Sequence, residues 1–550
     1  MDGDPMHSAP AIAERRRRLY GQHLGSFAPG LIAAAVSGAA LAAIFPTIGW
    51  DWMAWFALVP LWIVVARAES LWRALWPGYV AGVFFFAISC PWIATTVHRY
   101  GDLSPFMAGI VFVCFLLLMG SYLALFALVG YAVTRGIGHR LWPLPFVWVA
   151  VELFRTYTPM GGFPWNLLGD SQYAHTGFMM SATIAGVYGA SFIIALANTL
   201  VAALCLRFWD GRSLTAQAAG WNWPTRGDAA LGIALAIVLG FATLPYHPEV
   251  SPLRPLHARL VQPNTALNAS WTSASLQQFL NRQLALSDPA KSPPVDLILW
   301  PEQPAPLSYA AEPQFQATAA ELLSRTHATF LFDEVTYATG PRGAPDPNQP
   351  HNSALLIRPN GTTGERYDKI HLVPFGEYVP LPGWLQRFLG ASKLVQDVGN
   401  FVPGHDLTLF HLGGHRFASL ICYESIFPQL ARKETLRGTE WLVNLSDDSW
   451  YGHSSAQAQG LMMARTRAIE NHRWLLRDTD NGLTAVIGPY GRVMADLPPN
   501  QSASLVAGFQ PLTTLTFYTR HGDWLAYACC LIVLLLAAAA LLRRFIVHGF

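Results

Sequence analysis

Residues Met107–Thr134 hold no Asp, Glu, Lys or Arg at all. A helix of roughly 20 apolar residues crosses the hydrocarbon core of a bilayer with its backbone polar groups satisfied internally. That run is one of a series. Spans are expected near Phe27–Pro46, Trp52–Ala66, Trp76–Val97, Met107–Thr134, Leu141–Phe154, Phe178–Leu206, Ala229–Leu244 and Trp524–Leu542, about eight in all. The second and fifth are short, and the fifth carries Pro143 and Pro145, so seven or nine spans also fit. The chain is only 13% charged, against about 25% in soluble domains. A net charge of +2 gives no ground for a nucleic-acid partner.

Three parts follow from this pattern: 1–244 as a helical membrane domain of about seven spans, 245–522 as a water-soluble domain without a spanning run, and 523–550 as a last helix with a short tail. Lys and Arg collect in cytoplasmic loops. ERRRRLY, with Arg15–Arg18, therefore places the N-terminus inside, and alternation places Arg67, Arg73, Arg135, Arg140, Arg207, Arg212, Arg543 and Arg544 inside as well. The soluble domain then faces the other side. The basic start and first apolar run read as an uncleaved anchor rather than a signal peptide, because further spans follow.

Within the soluble part, short apolar segments end in loops: VDLILWPE, TFLFDEVTY, SALLIRPNGTTGERYDK with a turn at Pro-Asn-Gly, RFASLICYE, EWLVNLSDDSW, and LTAVIGPYGRVMADL with a turn at Gly-Pro-Tyr-Gly. Helical patterns lie between them at Ser275–Leu286, Gln314–Arg325 and Ala456–Asn471. Alternating strands and helices with continuous apolar strand cores predict a layered α/β domain. Sites in such sheets lie beyond the carboxyl ends of strands. Glu302, Lys369 and Cys422 each follow a predicted strand, so they are expected to converge.

Cys422 differs from the other five cysteines, all of which lie in apolar runs. A thiolate is the attacking form of cysteine, and an adjacent base or cation activates it. Glu302 would be the base, and Lys369 would stabilise the thiolate and a later oxyanion. Taken singly, a buried structural thiol, a solvated acid and a surface salt bridge are the ordinary readings. There is no CxxC pair, Cys/His cluster, GxGxxG or P-loop, so neither a metal nor a nucleotide cofactor is expected.

The segments LWPE, YDKIHLVPFGEYVPL and ICYES, in that order, resemble the glutamate-lysine-cysteine motifs of the nitrilase superfamily. Together with FAPG, GFPWNLLG, SDDSWYG, MARTRAIENHRWLLRDTDNG and TAVIGPYG, and the span-domain-span order, the whole chain resembles the apolipoprotein N-acyltransferase family. The resemblance implies an α-β-β-α sandwich inserted in a polytopic membrane domain. It implies that Glu302 is general base, Lys369 stabilises charge and Cys422 is acylated. Glu377 would position Lys369 or an incoming amine, Tyr423 and Glu424 would flank the nucleophile near an oxyanion hole, and Trp271 would stand near the site. The loop Asp447–Gly452, with Trp450, would be a mobile site edge, although the Asp at 447 departs from the expected Asn. The implied partners are a phospholipid acyl donor and a diacylglyceryl lipoprotein acceptor, met by a monomer in the inner membrane of a bacterium with its catalytic domain in the periplasm.

Glu152 is expected near the solvated outer end of its span, in a structural role, and Trp165 in an aromatic belt at the outer interface. Two alternatives remain open: a membrane-anchored amidase that uses water as acceptor, and a lipid-binding or transport protein in which the three residues would be dispensable.

Overall fold

The computed structural model describes residues 28–100, 103–136, 138, 140–210, 232, 235, 254–265, 271–288, 293–302, 308–339, 345–379, 383 and 401–548. The ERRRRLY segment, and the span expected at Ala229–Leu244 apart from Gly232 and Leu235, lie outside these residues.

The helical N-terminal part begins with α1 (Ala28–Ala43), α2 (Val59–Arg67), α3 (Leu71–Ser89), α4 (Trp92–Tyr100), α5 (Pro105–Gly136) and α6 (Leu144–Tyr157). A short α7 (Thr176–Met179) and the long α8 (Ala182–Asp210) follow. Among the described residues four helices are long and apolar enough to cross a membrane: Leu71–Ser89, Pro105–Gly136, Ala182–Phe208 and Trp524–Arg543. The others are shorter. The nine residues of α2 rise about 14 Å, well short of the ~30 Å hydrocarbon core. The span expected at Trp76–Val97 is two helices, α3 and α4, because Pro91 follows Cys90 and the residue before a proline leaves the helical region.

The strands form two six-stranded sheets. The first runs β12-β1-β2-β3-β4-β5 and the second β11-β10-β9-β8-β7-β6. Their strands are β1 (Leu256–Gln262), β2 (Leu297–Leu299), β3 (Thr329–Thr339), β4 (Pro345–Ile357), β5 (Thr363–Asp368), β6 (Phe410–Leu412), β7 (His415–Ile421), β8 (Trp441–Ser446), β9 (Trp474–Thr479), β10 (Ala485–Ile487), β11 (Val493–Asp496) and β12 (Ala503–Phe509). Side-chain alternation sorts the layers. Leu260, Leu299, Leu331, Ile421, Val443 and Leu476 fill the space between the sheets. Val261, Ile298 and Phe330 point outward to α9 (Ser273–Ser287) and α10 (Pro313–Thr326). On the other sheet, Leu420, Leu442 and Leu475 meet α11 (Pro428–Leu436) and α12 (Ser455–Asn471). The result is the α-β-β-α sandwich. The chain then passes through α13 (Phe517–His521) into α14 (Trp524–His548).

The α12 layer also faces the N-terminal helices, in one continuous apolar cluster. Buried polar side chains fix this contact. Gln459 donates to Pro46 O (2.8 Å) and Ser89 O (2.9 Å) and accepts from Trp165 Nε1 (2.6 Å). Glu470 Oε1 accepts from Val187 N (2.7 Å) where α8 breaks at Gly186, with φ +64°. A Cβ on Gly186 would stand 2.6 Å from the Tyr518 ring, so only glycine fits. At the opposite end of the bundle Arg135 donates to Ala68 O (3.1 Å) and Arg543 to Gly136 O (3.3 Å).

Two expectations change here. Trp165 is 1% exposed and stacks on Phe163 and against Trp92; it is a buried joint rather than a belt residue. Glu152 is buried rather than solvated, and its Oε1 accepts from Leu168 N at 2.7 Å.

Candidate active site

Register delivers the first residues. β4 and β5 pair Ser353 with Asp368, which sets Asn352 beside Lys369, and Lys369 N donates to Asn352 O at 2.8 Å. Lys369 is 1% exposed. Its Nζ donates to Glu377 Oε1 at 2.8 Å and Glu302 Oε1 at 3.3 Å. Asn352 Nδ2 donates to the same two oxygens, at 3.0 and 2.8 Å. Glu377 Oε2 accepts from Val373 N (2.8 Å), and Glu302 Oε2 from Asp447 N (2.9 Å). Burial alone would lower the lysine pKa, but the negative charges of Glu302 and Glu377 outweigh it and hold the ammonium well above its usual range.

Glu302, Asn352, Lys369 and Glu377 come from the first sheet and its loops; Cys422 and Asp447 come from the second. Cys422 is the first residue after β7. It has φ +49°, a left-handed conformation that strains a residue with a Cβ. The chain turns there into a single 3₁₀ turn, Cys422–Ile426, so the sulfur stands off the strand end. Glu424 holds the turn. It is fully buried; Oε2 accepts from Ile421 N (2.8 Å), and Oε1 accepts from Tyr367 OH (2.7 Å), Ile370 N (2.7 Å) and His371 N (3.0 Å). Glu424 thereby ties the cysteine turn to the segment after Lys369. Burial and the Glu302 charge push the Cys422 thiol well above its ordinary value, against the opposing effects of Lys369 and the Ser446 hydroxyl. The resting sulfur is therefore protonated, and attack requires a base at hand.

The remaining expected residues take other places. Tyr423 OH donates to Gly162 O (3.2 Å) in the loop after α6, and its ring packs on Phe427. Trp450 lies in the turn Asp448–Tyr451, and its carbonyl accepts from Thr96 Oγ1 of α4 at 2.9 Å. Trp271 packs edge-on against Phe279 in the outer helix layer, with ring centroids 5.3 Å apart. The side chain of Asp447 caps its own turn through Ser449 N (2.9 Å), so its backbone N–H, rather than its carboxyl, reaches Glu302. Burial and the neighbouring Asp480 push that carboxyl far up. Among the described residues no group of acids, cysteines and histidines is arranged to hold a metal ion.

Sequence reasoning missed Asn352 and Tyr451. Counted straight from the Ile357–Thr363 pair, Lys369 falls opposite His351; a bulge between Leu355 and Ile357 shifts the partner to Asn352. Tyr451 packs edge-on against Trp92 at 5.2 Å. Burial pushes its phenol pKa well up. Asn352→Ala removes two hydrogen bonds to charged oxygens, each worth about 1.5–3 kcal/mol. Turnover is expected to fall by ten- to a hundredfold with the fold intact. Unchanged kcat in a steady-state assay would show that Asn352 does not hold the carboxylates.

Known families match both parts of the chain. A family model described as apolipoprotein N-acyltransferase N-terminal domain matches residues 37–200, and one described as carbon-nitrogen hydrolase matches residues 257–514. An apolipoprotein N-acyltransferase of Geobacter metallireducens is 34% identical over 504 residues, covering 90% of this chain and 92% of its own length. Those of Azotobacter vinelandii and Methylococcus capsulatus are 31% and 30% identical, covering 82% and 90% of this chain and 84% and 93% of their own.

Proposed function

The chain belongs to the apolipoprotein N-acyltransferase family, and on that premise we propose that it moves an acyl chain from a membrane phospholipid, through a thioester on Cys422, to the amino-terminal amine of a diacylglyceryl lipoprotein. The observation that carries the reading is the buried cluster of Glu302, Lys369 and Glu377 at the strand end where Cys422 turns out of β7.

In the first half-reaction the Cys422 sulfur attacks the ester carbonyl carbon and its proton passes to Glu302. The ester C–O bond breaks, and the glyceryl oxygen leaves with that proton as a lysophospholipid. In the second, the lipoprotein amine attacks the thioester and Glu302 takes one amine proton. The C–S bond breaks and the sulfur recovers the proton, leaving an amide. Lys369, held charged by two carboxylates, faces the oxyanion of each tetrahedral intermediate without giving up its proton. Glu377 keeps that ammonium in place while Glu302 cycles. Both lipid substrates are anchored in the bilayer, and extraction would cost about 0.8 kcal/mol per CH₂. A sandwich whose α12 layer rests on the membrane helices avoids that cost.

Residues 1–244 serve as the membrane part in this reading, 245–522 as the catalytic part and 523–550 as the last anchor. The enzyme works as a monomer in the bacterial inner membrane with the sandwich in the periplasm. The arginines of the helix ends meet at the end of the bundle away from the sandwich, which supports that orientation. The test is an assay with a defined phospholipid and a diacylated lipopeptide. Amide-linked acyl chain on the peptide is the expected product. Release of free fatty acid alone would favour a hydrolase.

A further inference from the structure

α4 lies along the outer edge of the site. Trp92, Thr96 and Arg99 recur at i, i+4 and i+7 and share one helix face. Trp92 meets the Tyr451 ring, Thr96 bonds the Trp450 carbonyl, and a Cβ on Gly452 would stand 3.3 Å from Arg99 Nη1. The helix thus reads three successive residues of the loop whose first member, Asp447, holds Glu302. Arg99 is exposed and makes no ion pair or hydrogen bond with any described residue. It also sits between two candidate spans, α3 and α5, at the end of the bundle where the sandwich docks. A guanidinium at that level, lying against Gly452 of the site loop, is built for an anion delivered from the bilayer surface.

We propose that Arg99 binds the phosphodiester of the acyl donor and so places the donor's ester at Cys422. This rests on the phospholipid donor proposed above. The planar guanidinium fork matches two phosphate oxygens, and Gly452, lacking a side chain, lets the guanidinium lie close against the loop. The anchor acts on donor binding and leaves the chemistry at sulfur alone.

The test uses the full-length protein in neutral detergent micelles, which remove any general effect of surface charge. Two donors are compared: a zwitterionic phosphatidylcholine and p-nitrophenyl palmitate, which carries no phosphate. Arg99→Gln is expected to raise KM for the phosphatidylcholine about five- to tenfold, with kcat within twofold and Cys422 acylation by p-nitrophenyl palmitate unchanged. Arg99→Lys is expected to recover most of the loss. Equal loss with both donors, or with neither, would overturn the proposal. Wild-type protein that takes acyl chains from the nitrophenyl ester but never from phospholipid would refute the donor assignment itself, and this inference with it, in an arm that involves no variant.

Discussion

Cys422→Ala is expected to lower acyl transfer by a factor on the order of 10³ or more, while the protein still inserts and folds. The side chain lost is one sulfur atom at a residue 9% exposed, a small deletion beside the 2–5 kcal/mol of a large apolar truncation. The fold around it is held by other groups: Glu424 fixes the turn through four hydrogen bonds, and Asn444 Nδ2 grips the Cys422 carbonyl at 3.3 Å. Activity and stability should therefore separate. Cys422→Ser should be nearly as inactive, because a hydroxyl in so buried a site is harder still to deprotonate. Detergent-solubilised variants with wild-type thermal midpoints but no transfer are the expected result. Retained transfer would remove the sulfur from the reaction.

Lys369→Met is expected to cost both activity and stability. The ammonium is buried between the Glu302 and Glu377 carboxylates. Removing one member of a buried ion network leaves uncompensated charge, worth about 3–5 kcal/mol. With the cation gone, the two carboxylates face each other with only the hydrogen bonds of the Asn352 amide between them, and the geometry that aims Glu302 is lost. Losing one oxyanion stabiliser alone costs about 10²–10³ in kcat. The expected phenotype is a lowered thermal midpoint with transfer at least a hundredfold down. Lys369→Arg should not rescue it, since the larger planar fork does not fit a site that is 1% exposed. Near-normal kcat in Lys369→Met would contradict the role given to the ammonium.

The parts legible in the sequence were those whose physics is local. β2, β7 and β8 are continuous apolar runs ended by polar loops, so the residues that follow them could be placed at one rim. β9 escaped notice because Arg477 and Asp478 interrupt its apolar pattern. Arg477 is buried there because Asp448 receives it at 2.8 Å and the Asn444 side-chain oxygen accepts a further hydrogen bond from it. β12 escaped because Ala503, Ser504, Ala507 and Gly508 give it little apolar character. The burial of Trp165 depends on Gln459, nearly three hundred residues later, and no local signal encodes such a partner. Asn352 was hidden by a single bulge.

Mass spectrometry of the purified protein, after incubation with a phospholipid of defined acyl chains and no acceptor, tests the covalent step most directly. A thioester-linked acyl group on the peptide containing Cys422, cleaved by hydroxylamine and discharged as an amide when a diacylated lipopeptide is added, is the predicted result. An acyl group on another residue, or transfer that proceeds while Cys422 stays unmodified under trapping conditions, would contradict it.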